Sequence, residues 1–158
     1  MKYWIVATYK INEIKKVESN LSNQNFRYYL PKIQIEKANS KIKEEILFPG
    51  YIFINTSFED CSPISNTIGI KEIIKFGNYI PSITDDQIKS IKAIVKLSKS
   101  NPKIEKIEIG QEAFIASGPL KGTMVKVCSL PSRKRIDVLL TFLGSLKKVN
   151  VSQKNLIF

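Results

Sequence analysis

The sequence has no histidine and little cysteine, and these absences exclude several classes of site. Cys61 and Cys128 are the only cysteines among the 158 residues. A structural zinc site, a haem or a His-based triad would therefore lack its usual ligands or base. No apolar run approaches the roughly 18 residues of a membrane span, and the opening residues MKYW lead directly into alternating sequence rather than a signal peptide. We expect a cytoplasmic protein with reduced thiols, no membrane segment, no metal and no cofactor.

The chain is strongly basic. It carries 25 Lys and Arg against 14 Asp and Glu, a formal net charge of +11. Such an excess predicts a polyanionic partner, most often nucleic acid or an acidic protein surface. A compositional bias of the host toward Lys is the alternative explanation, since only three of the basic residues are Arg. Residues 98–158 hold 11 basic and 4 acidic side chains, whereas residues 1–97 hold 14 and 10, so the C-terminal part is the more basic one.

The order of predicted elements indicates an α+β protein. The run YWIVATY at 3–9 is typical of a first strand, and helical spacing of apolar residues follows at 12–22. Further strands are predicted within 25–37, 44–55 and 70–76, and TDDQ at 84–87 fits a capping box that begins a helix running to about residue 97. Strands with flanking helices in this order predict an antiparallel sheet. The polar run 98–106 is predicted to be a linker, followed by a small module at 107–158.

The stretch EEILFPGYIFIN, residues 44–55, is apolar on both faces if it is an extended strand. Alternation would place Tyr51 and Phe53 on one face and Phe48 on the other. One face can belong to the core, but the second must be covered by another part of the chain or by a partner.

These residues together resemble the NusG family of transcription elongation factors, and within it the RfaH type of specialised paralogue. Residues 1–97 are similar to the family's NGN domain through NFRYYLP, LFPGYIFI and KFG, and GQEAFIASGPLKGTMVKV at 110–127 resembles a KOW motif. The resemblance implies an NGN-type antiparallel sheet with flanking helices and a C-terminal KOW domain at 107–158. It covers nearly the whole chain.

The resemblance also implies partners and binding residues. An apolar patch beside the FPGY strand would bind the clamp helices of RNA polymerase, and Tyr51, Phe53 and Phe48 are the candidates; the alternative is that these aromatic residues are simply core. The helix and turn beside it would contact the non-template DNA strand. The candidates for that contact are Lys10, Lys15, Lys16, Gln24, Asn66 and Thr67, and a solvated Lys face is the alternative. RfaH-type proteins tend to carry TRG where this chain has Thr67-Ile68-Gly69, so a basic contact is missing.

The C-terminal segment RIDVLLTFLGSLKKV fits two periods. Ile136, Val138, Leu140 and Phe142 alternate as in a strand, whereas Ile136, Leu139, Leu140, Leu143 and Leu146 follow a helical stripe. The resemblance allows both: a KOW domain folded as an SH3-like β-barrel that binds a small ribosomal subunit protein, or a docked α-helical hairpin over the polymerase-binding patch. We favour the barrel for the free domain. In the docked form, Glu45 and Arg135 would form an interdomain ion pair.

Three functions follow as expectations. The first is a monomeric, specialised RfaH-like antiterminator that binds RNA polymerase, suppresses pausing and couples transcription to translation. The alternatives are a general NusG factor and a ribosome-associated or RNA-binding KOW protein. We do not expect an enzyme, because the adjacent acids at 44–45, 59–60 and 85–86 do not form a converging metal site, and the last pair suits a helix N-terminus.

Overall fold

The computed structural model describes residues 2–36, 41–100 and 131–155. Over these residues it is a mixed α+β protein with antiparallel strands, as the sequence predicts. The strands are β1 Tyr3–Tyr9, β2 Arg27–Tyr29, β3 Lys32–Glu36, β4 Ile42–Ile46, β5 Tyr51–Thr56 and β6 Ile70–Ile73; the helices are α1 Ile14–Asn23, α2 Cys61–Ser65, α3 Asp85–Ser100 and α4 Ser132–Asn155.

A four-stranded sheet with the order β2-β5-β1-β6 forms the centre of the N-terminal region. Its first face is covered by α1 and α2, which contribute Val17, Leu21 and Ile64. These side chains pack with alternate residues of the strands, because successive strand residues point to opposite faces. The strand residues in this cluster are Ile5, Ala7, Tyr9, Ile52, Ile54, Ile70 and Ile73.

The second face of this sheet is also apolar. Directly paired strand residues share a face, and three rows of paired residues therefore define it. Tyr29, Phe53 and Val6 form the central row, with Thr8 and Tyr51 on one side and Trp4, Asn55 and Arg27 on the other. Trp4, Val6 and Phe53 are almost completely buried, so the middle of this face is closed to solvent in this conformation, whereas Arg27 at its edge is exposed.

A second, two-stranded sheet pairs β3 with β4. Ile33 lies opposite Glu45 in its register, and Ile35 lies opposite Lys43. Ile33 is fully buried, whereas most of β4 is exposed. This sheet positions Glu45 one residue before the end of β4.

The predicted continuous strand over residues 44–55 is wrong. The chain leaves β4 after Ile46, turns through residues 47–50 and enters the other sheet at Tyr51. Pro49 has no N–H for a ladder bond, and Gly50 has φ +89°, a conformation that glycine adopts without steric cost. Strand alternation therefore does not extend back to Phe48, which lies in the turn.

Residues 132–155 form the α-helix α4, so the β-barrel favoured above is not what this segment adopts here. The helical stripe decides the outcome, since Leu139, Leu143 and Leu146 are buried. The KOW motif at 110–127 lies outside the described residues, as does most of the linker 98–106. The domain limits 1–97, 98–106 and 107–158 therefore remain predictions.

The chain divides into two compact units. One comprises the described residues of Met1–Leu30, Gly50–Asp85 and Leu140–Phe158; the other comprises those of Pro31–Pro49 and Asp86–Leu139. The first unit contains the four-stranded sheet and the second half of α4. The second unit contains the two-stranded sheet and the first turns of α4.

Candidate functional site

A buried arginine joins the first turn of α4 to the end of β4. Arg135 is 1% exposed, and its Nε donates a hydrogen bond of 2.7 Å to the carbonyl oxygen of Leu47. Its Nη2 lies 3.3 Å from the carbonyl oxygen of Ile46 and 3.3 Å from Oε2 of Glu45. The guanidinium therefore donates to two main-chain carbonyls and one carboxylate, as its fixed fork of N–H groups allows.

The backbone on both sides of this contact is fixed. Leu47 N–H donates to the carbonyl of Pro31 at 2.8 Å, which orients the peptide groups beyond β4. Arg135 N–H donates to the carbonyl of Pro131 at 3.0 Å as the helix begins. A buried charge without partners costs several kcal/mol, so the position of Arg135 depends on these acceptors.

The structure thus brings together Glu45 and Arg135, the pair singled out from the sequence. Sequence reasoning missed the carbonyls of Ile46 and Leu47. A main-chain carbonyl leaves no trace in the pattern of side chains, so the sequence does not identify it as an acceptor. The available signal was that β4 ends where the apolar run LFPGYIFI begins.

The aromatic residues predicted to bind polymerase differ in accessibility. Phe53 and Phe48 are both 0% exposed, whereas Tyr51 is half-buried at the start of β5. Phe53 has Tyr29 beside it, with ring centroids 6.2 Å apart. Burial raises the pKa of Tyr29 to about 12. Tyr29 was missed, although it follows from the alternation of β2.

Trp4 lies at the end of the second face opposite to Tyr51 and binds the segment before α3. Its indole Nε1 donates to Oδ1 of Asp85 at 2.7 Å, and the Arg27 guanidinium lies 5.4 Å from the ring centroid. The main chain of Trp4 also exchanges two hydrogen bonds with Ile83, which lies just before α3. The segment that leads into α3 is therefore fastened to this edge of the sheet.

Of the residues predicted to contact nucleic acid, Lys15 and Lys16 lie on α1, Lys10 and Gln24 flank that helix, and Asn66 and Thr67 lie between α2 and β6. Lys10 and Gln24 are exposed, and each is bonded to the turn before β6: Lys10 N–H donates to the carbonyl of Gly69 at 2.9 Å, and Gln24 Nε2 donates to Thr67 Oγ1 at 3.0 Å. Thr67 is only 5% exposed, so it supports this surface rather than forming it. Lys15, Lys16 and Asn66 are also exposed.

Sequence reasoning missed two residues of the same surface. Asn20 Nδ2 donates to the carbonyl of Ile68 at 3.3 Å, and the Ile68 side chain is 70% exposed at the tip of the turn. Ile11, Ile42 and Phe58 are also more than half exposed, so the exposure of Ile68 does not by itself mark a binding site.

The described part of the chain has neither a cluster of metal ligands nor a membrane-spanning helix. No three His, Cys, Asp or Glu side chains converge there as ligands for a metal ion. No helix within residues 2–36, 41–100 and 131–155 is long and apolar enough to cross a membrane.

Known proteins resemble this chain along most of its length. The family model described as "Transcription termination factor nusG" matches residues 1–92. Two curated relatives, both transcription termination/antitermination proteins NusG, come from Chlamydia trachomatis and Chlamydia muridarum. Each is 23% identical over 164 aligned residues, which cover 94% of this chain and 90% of the relative.

A solved structure, titled "Domain interaction in Thermotoga maritima NusG", is similar with a TM-score of 0.42 and 19% identity. The match covers 70% of this chain and 67% of that one. Since the family match spans more than half of the 158 residues, the chain belongs to the NusG family of transcription termination and antitermination factors.

Proposed function

We propose that this protein is a specialised, RfaH-type member of the family that binds RNA polymerase and suppresses pausing and termination. The polymerase clamp helices would bind the second face of the four-stranded sheet at Tyr51 and Phe53, with Phe48 in the adjoining turn. In the resting form α4 covers this surface, and release of α4 exposes it.

One observation carries this proposal: Arg135 of α4 is buried against the end of β4. A segment whose sequence fits both a strand and a helix is helical here, and its first turn is held by acceptors about 90 residues earlier in the chain. Such a helix depends on its contacts, because isolated helices are marginal in water. The buried leucines of α4 have the same dependence.

The covered state also accounts for the burial of the second face. Trp4, Val6 and Phe53 are buried there, and the compact unit that contains them also contains the second half of α4, where Leu143 and Leu146 are buried. An apolar sheet face of this kind is a suitable protein-binding surface once it is uncovered.

The other partners follow from the same proposal. The non-template DNA strand would contact Lys10, Lys15, Lys16, Gln24 and Asn66, with Thr67 in support, because exposed ammonium groups suit phosphates and amides suit base edges. The released C-terminal domain would bind a small ribosomal subunit protein and so couple transcription to translation in the cytoplasm.

The test is transcription in vitro on a template with a strong pause. We would compare no factor, the intact chain, Arg135→Ala, and Arg135→Ala combined with Tyr51→Ala. Loss of the buried guanidinium should weaken the closed form by about 3 kcal/mol. We expect the intact chain to have little effect, Arg135→Ala to shorten the pause, and the double variant to lose that gain.

Arg133→Ala is the matched control, because Arg133 lies in the same turn of α4 but is exposed. It should behave as the intact chain. If the intact chain shortens the pause fully and Arg135→Ala adds nothing, the protein rests open and acts as a general factor. If neither changes the pause, polymerase binding itself is contradicted.

A further inference from the structure

The surface formed by α1 and the turn before β6 has a hydrogen-bond network that fixes the orientation of one amide. Gln24 Nε2 donates to Thr67 Oγ1 at 3.0 Å and to the main-chain carbonyl of Asn20 at 3.1 Å. Thr67 Oγ1 in turn donates to the carbonyl of Pro63 at 2.9 Å. These hydrogen bonds link α1 to α2 and to the turn that begins at Thr67.

The chemistry of these partners permits only one arrangement. A hydroxyl has a single hydrogen, and Thr67 gives it to Pro63, so Thr67 can only accept from Gln24. The carbonyl of Asn20 is also an acceptor. Both partners therefore require the NH₂ group of Gln24, and both of its hydrogens are used.

The side-chain oxygen of Gln24 is consequently directed away from the network. It has no hydrogen-bond donor among the residues that the structure describes, and the residue is exposed. Gln24 thus presents a fixed acceptor to solvent, although an unrestrained glutamine offers either a donor or an acceptor.

The adjoining turn presents an aliphatic side chain. Ile70 N–H donates to the carbonyl of Thr67 at 3.1 Å, and Gly69 has φ +96°, as expected of a type II turn with glycine at its third position. Asn20 donates to the carbonyl of Ile68 and holds the tip of this turn in place. The Ile68 side chain, immediately after Thr67, is therefore a preorganised apolar contact.

We propose that Gln24 selects unpaired DNA bases that carry an exocyclic amino group, which donates to Oε1 while the base ring lies against Ile68. This inference rests on the DNA contact in the proposed function. Cytosine offers N4–H₂ to the acceptor. Uracil and thymine present carbonyl oxygens there, and their single N–H lies between two carbonyls that the acceptor repels.

The test measures binding of the full chain to short, labelled single-stranded homopolymers of deoxycytidine, deoxyuridine and thymidine. Deoxycytidine and deoxyuridine have rings of one size and differ at the group that Gln24 would contact. We expect deoxycytidine to bind about three- to tenfold more tightly, the effect of one hydrogen bond. Thymidine against deoxyuridine isolates the methyl contact with Ile68.

The positioning role of Thr67 gives a sharper test. Thr67→Val removes the hydroxyl that fixes the Gln24 amide while keeping the shape of the side chain, so the ratio of deoxycytidine to deoxyuridine affinity should fall toward one. Thr67→Ser retains the hydroxyl and should restore the ratio. Asn12→Ala, which removes an exposed amide outside this network, is the matched control and should leave it unchanged.

Each remaining outcome contradicts a different statement. Equal binding of deoxycytidine and deoxyuridine by the intact chain would overturn the base selection but leave the DNA contact. Absence of binding to every oligonucleotide would overturn the DNA contact together with the selection, while the pausing assay would still report on polymerase. Tighter binding of oligoribocytidine than of oligodeoxycytidine would assign the surface to RNA and overturn the proposal for DNA.

Discussion

The two sheets of this protein obtain their buried partners from different parts of the chain. The first face of the four-stranded sheet is covered by residues between Ile5 and Ile73, all apolar except for the Tyr9 hydroxyl. The end of β4 in the two-stranded sheet is instead joined by Arg135, which is 88 residues from Leu47 and brings a charge into a buried place.

This difference indicates which contacts are intrinsic and which are conditional. An apolar cluster drawn from residues 5–73 loses little if a segment from outside that range leaves, because each member keeps its neighbours. A buried arginine has no comparable alternative: it must keep its acceptors or become solvated. We therefore expect release of α4 to begin at the Arg135 contact, while the first face of the four-stranded sheet stays covered by α1 and α2.

The largest loss of stability should come from disturbing the cluster under the first face of the four-stranded sheet. In Gly69→Ala the new Cβ would lie 2.5 Å from Cγ2 of Val17, which is fully buried, and the residue would have to adopt φ +96°. Overpacking and backbone strain together should lower the free energy of unfolding by about 3 kcal/mol. Urea denaturation followed by the fluorescence of Trp4, the single tryptophan, measures this change.

Gly77→Ala separates the two causes. Gly77 has φ +64°, but a Cβ there would meet nothing within 4 Å. Only the strain remains, so we expect a loss of about 1 kcal/mol. If both variants lost the same free energy of unfolding, overpacking of the new methyl group at residue 69 against Val17 would not contribute to the loss.

Much of the N-terminal fold could be predicted from the sequence. Alternation locates β1, and the Thr84-to-Gln87 signal correctly places the start of α3 at Asp85. The turn at 47–50 was missed because apolar residues continue through it, so the hydrophobic pattern does not change where the chain leaves the sheet. Here Pro49 and Gly50 were the better signal.

The state of residues 132–155 could not be settled from local pattern. Both periods fit, and intrinsic preference between them is weaker than tertiary contacts. The choice follows from Arg135 and the buried leucines, whose partners are distant in sequence. The same reason explains why the amide orientation of Gln24 was not foreseen, since it depends on Thr67 and Pro63.

A smaller loss of stability should distinguish the contribution of the Glu45 carboxylate to the Arg135 contact from that of the two main-chain carbonyls. Glu45 is 26% exposed and its Oε2 is 3.3 Å from Nη2, so Glu45→Gln should weaken the contact by about 1 kcal/mol while the bonds to Ile46 and Leu47 remain. The measurement is the shift in the midpoint of urea denaturation, followed by the circular dichroism of the helices.

Glu44→Gln is the control for that variant. Glu44 is the neighbouring residue of β4, it is exposed, and the same charge is removed, so the midpoint should barely change. A loss in Glu45→Gln as large as that in Arg135→Ala would mean that the ion pair, rather than the carbonyl bonds, holds the helix.

The smallest effect should be a gain in the stability of α4. Gly144 lies within α4, and a methyl group there would lie 3.9 Å from Cζ of Phe76, an ordinary contact distance. Gly144→Ala should therefore stabilise the helix by up to about 1 kcal/mol. If α4 opens as a unit, amide hydrogen exchange along it should slow by about fivefold, and the protein concentration needed to shorten a pause should rise.

Thr141→Ala, at an exposed position of the same helix, is the control for the change in helix propensity alone. If Gly144→Ala slowed exchange but made the protein a better antipausing factor, the helical state of α4 would be the active one and not the covering one.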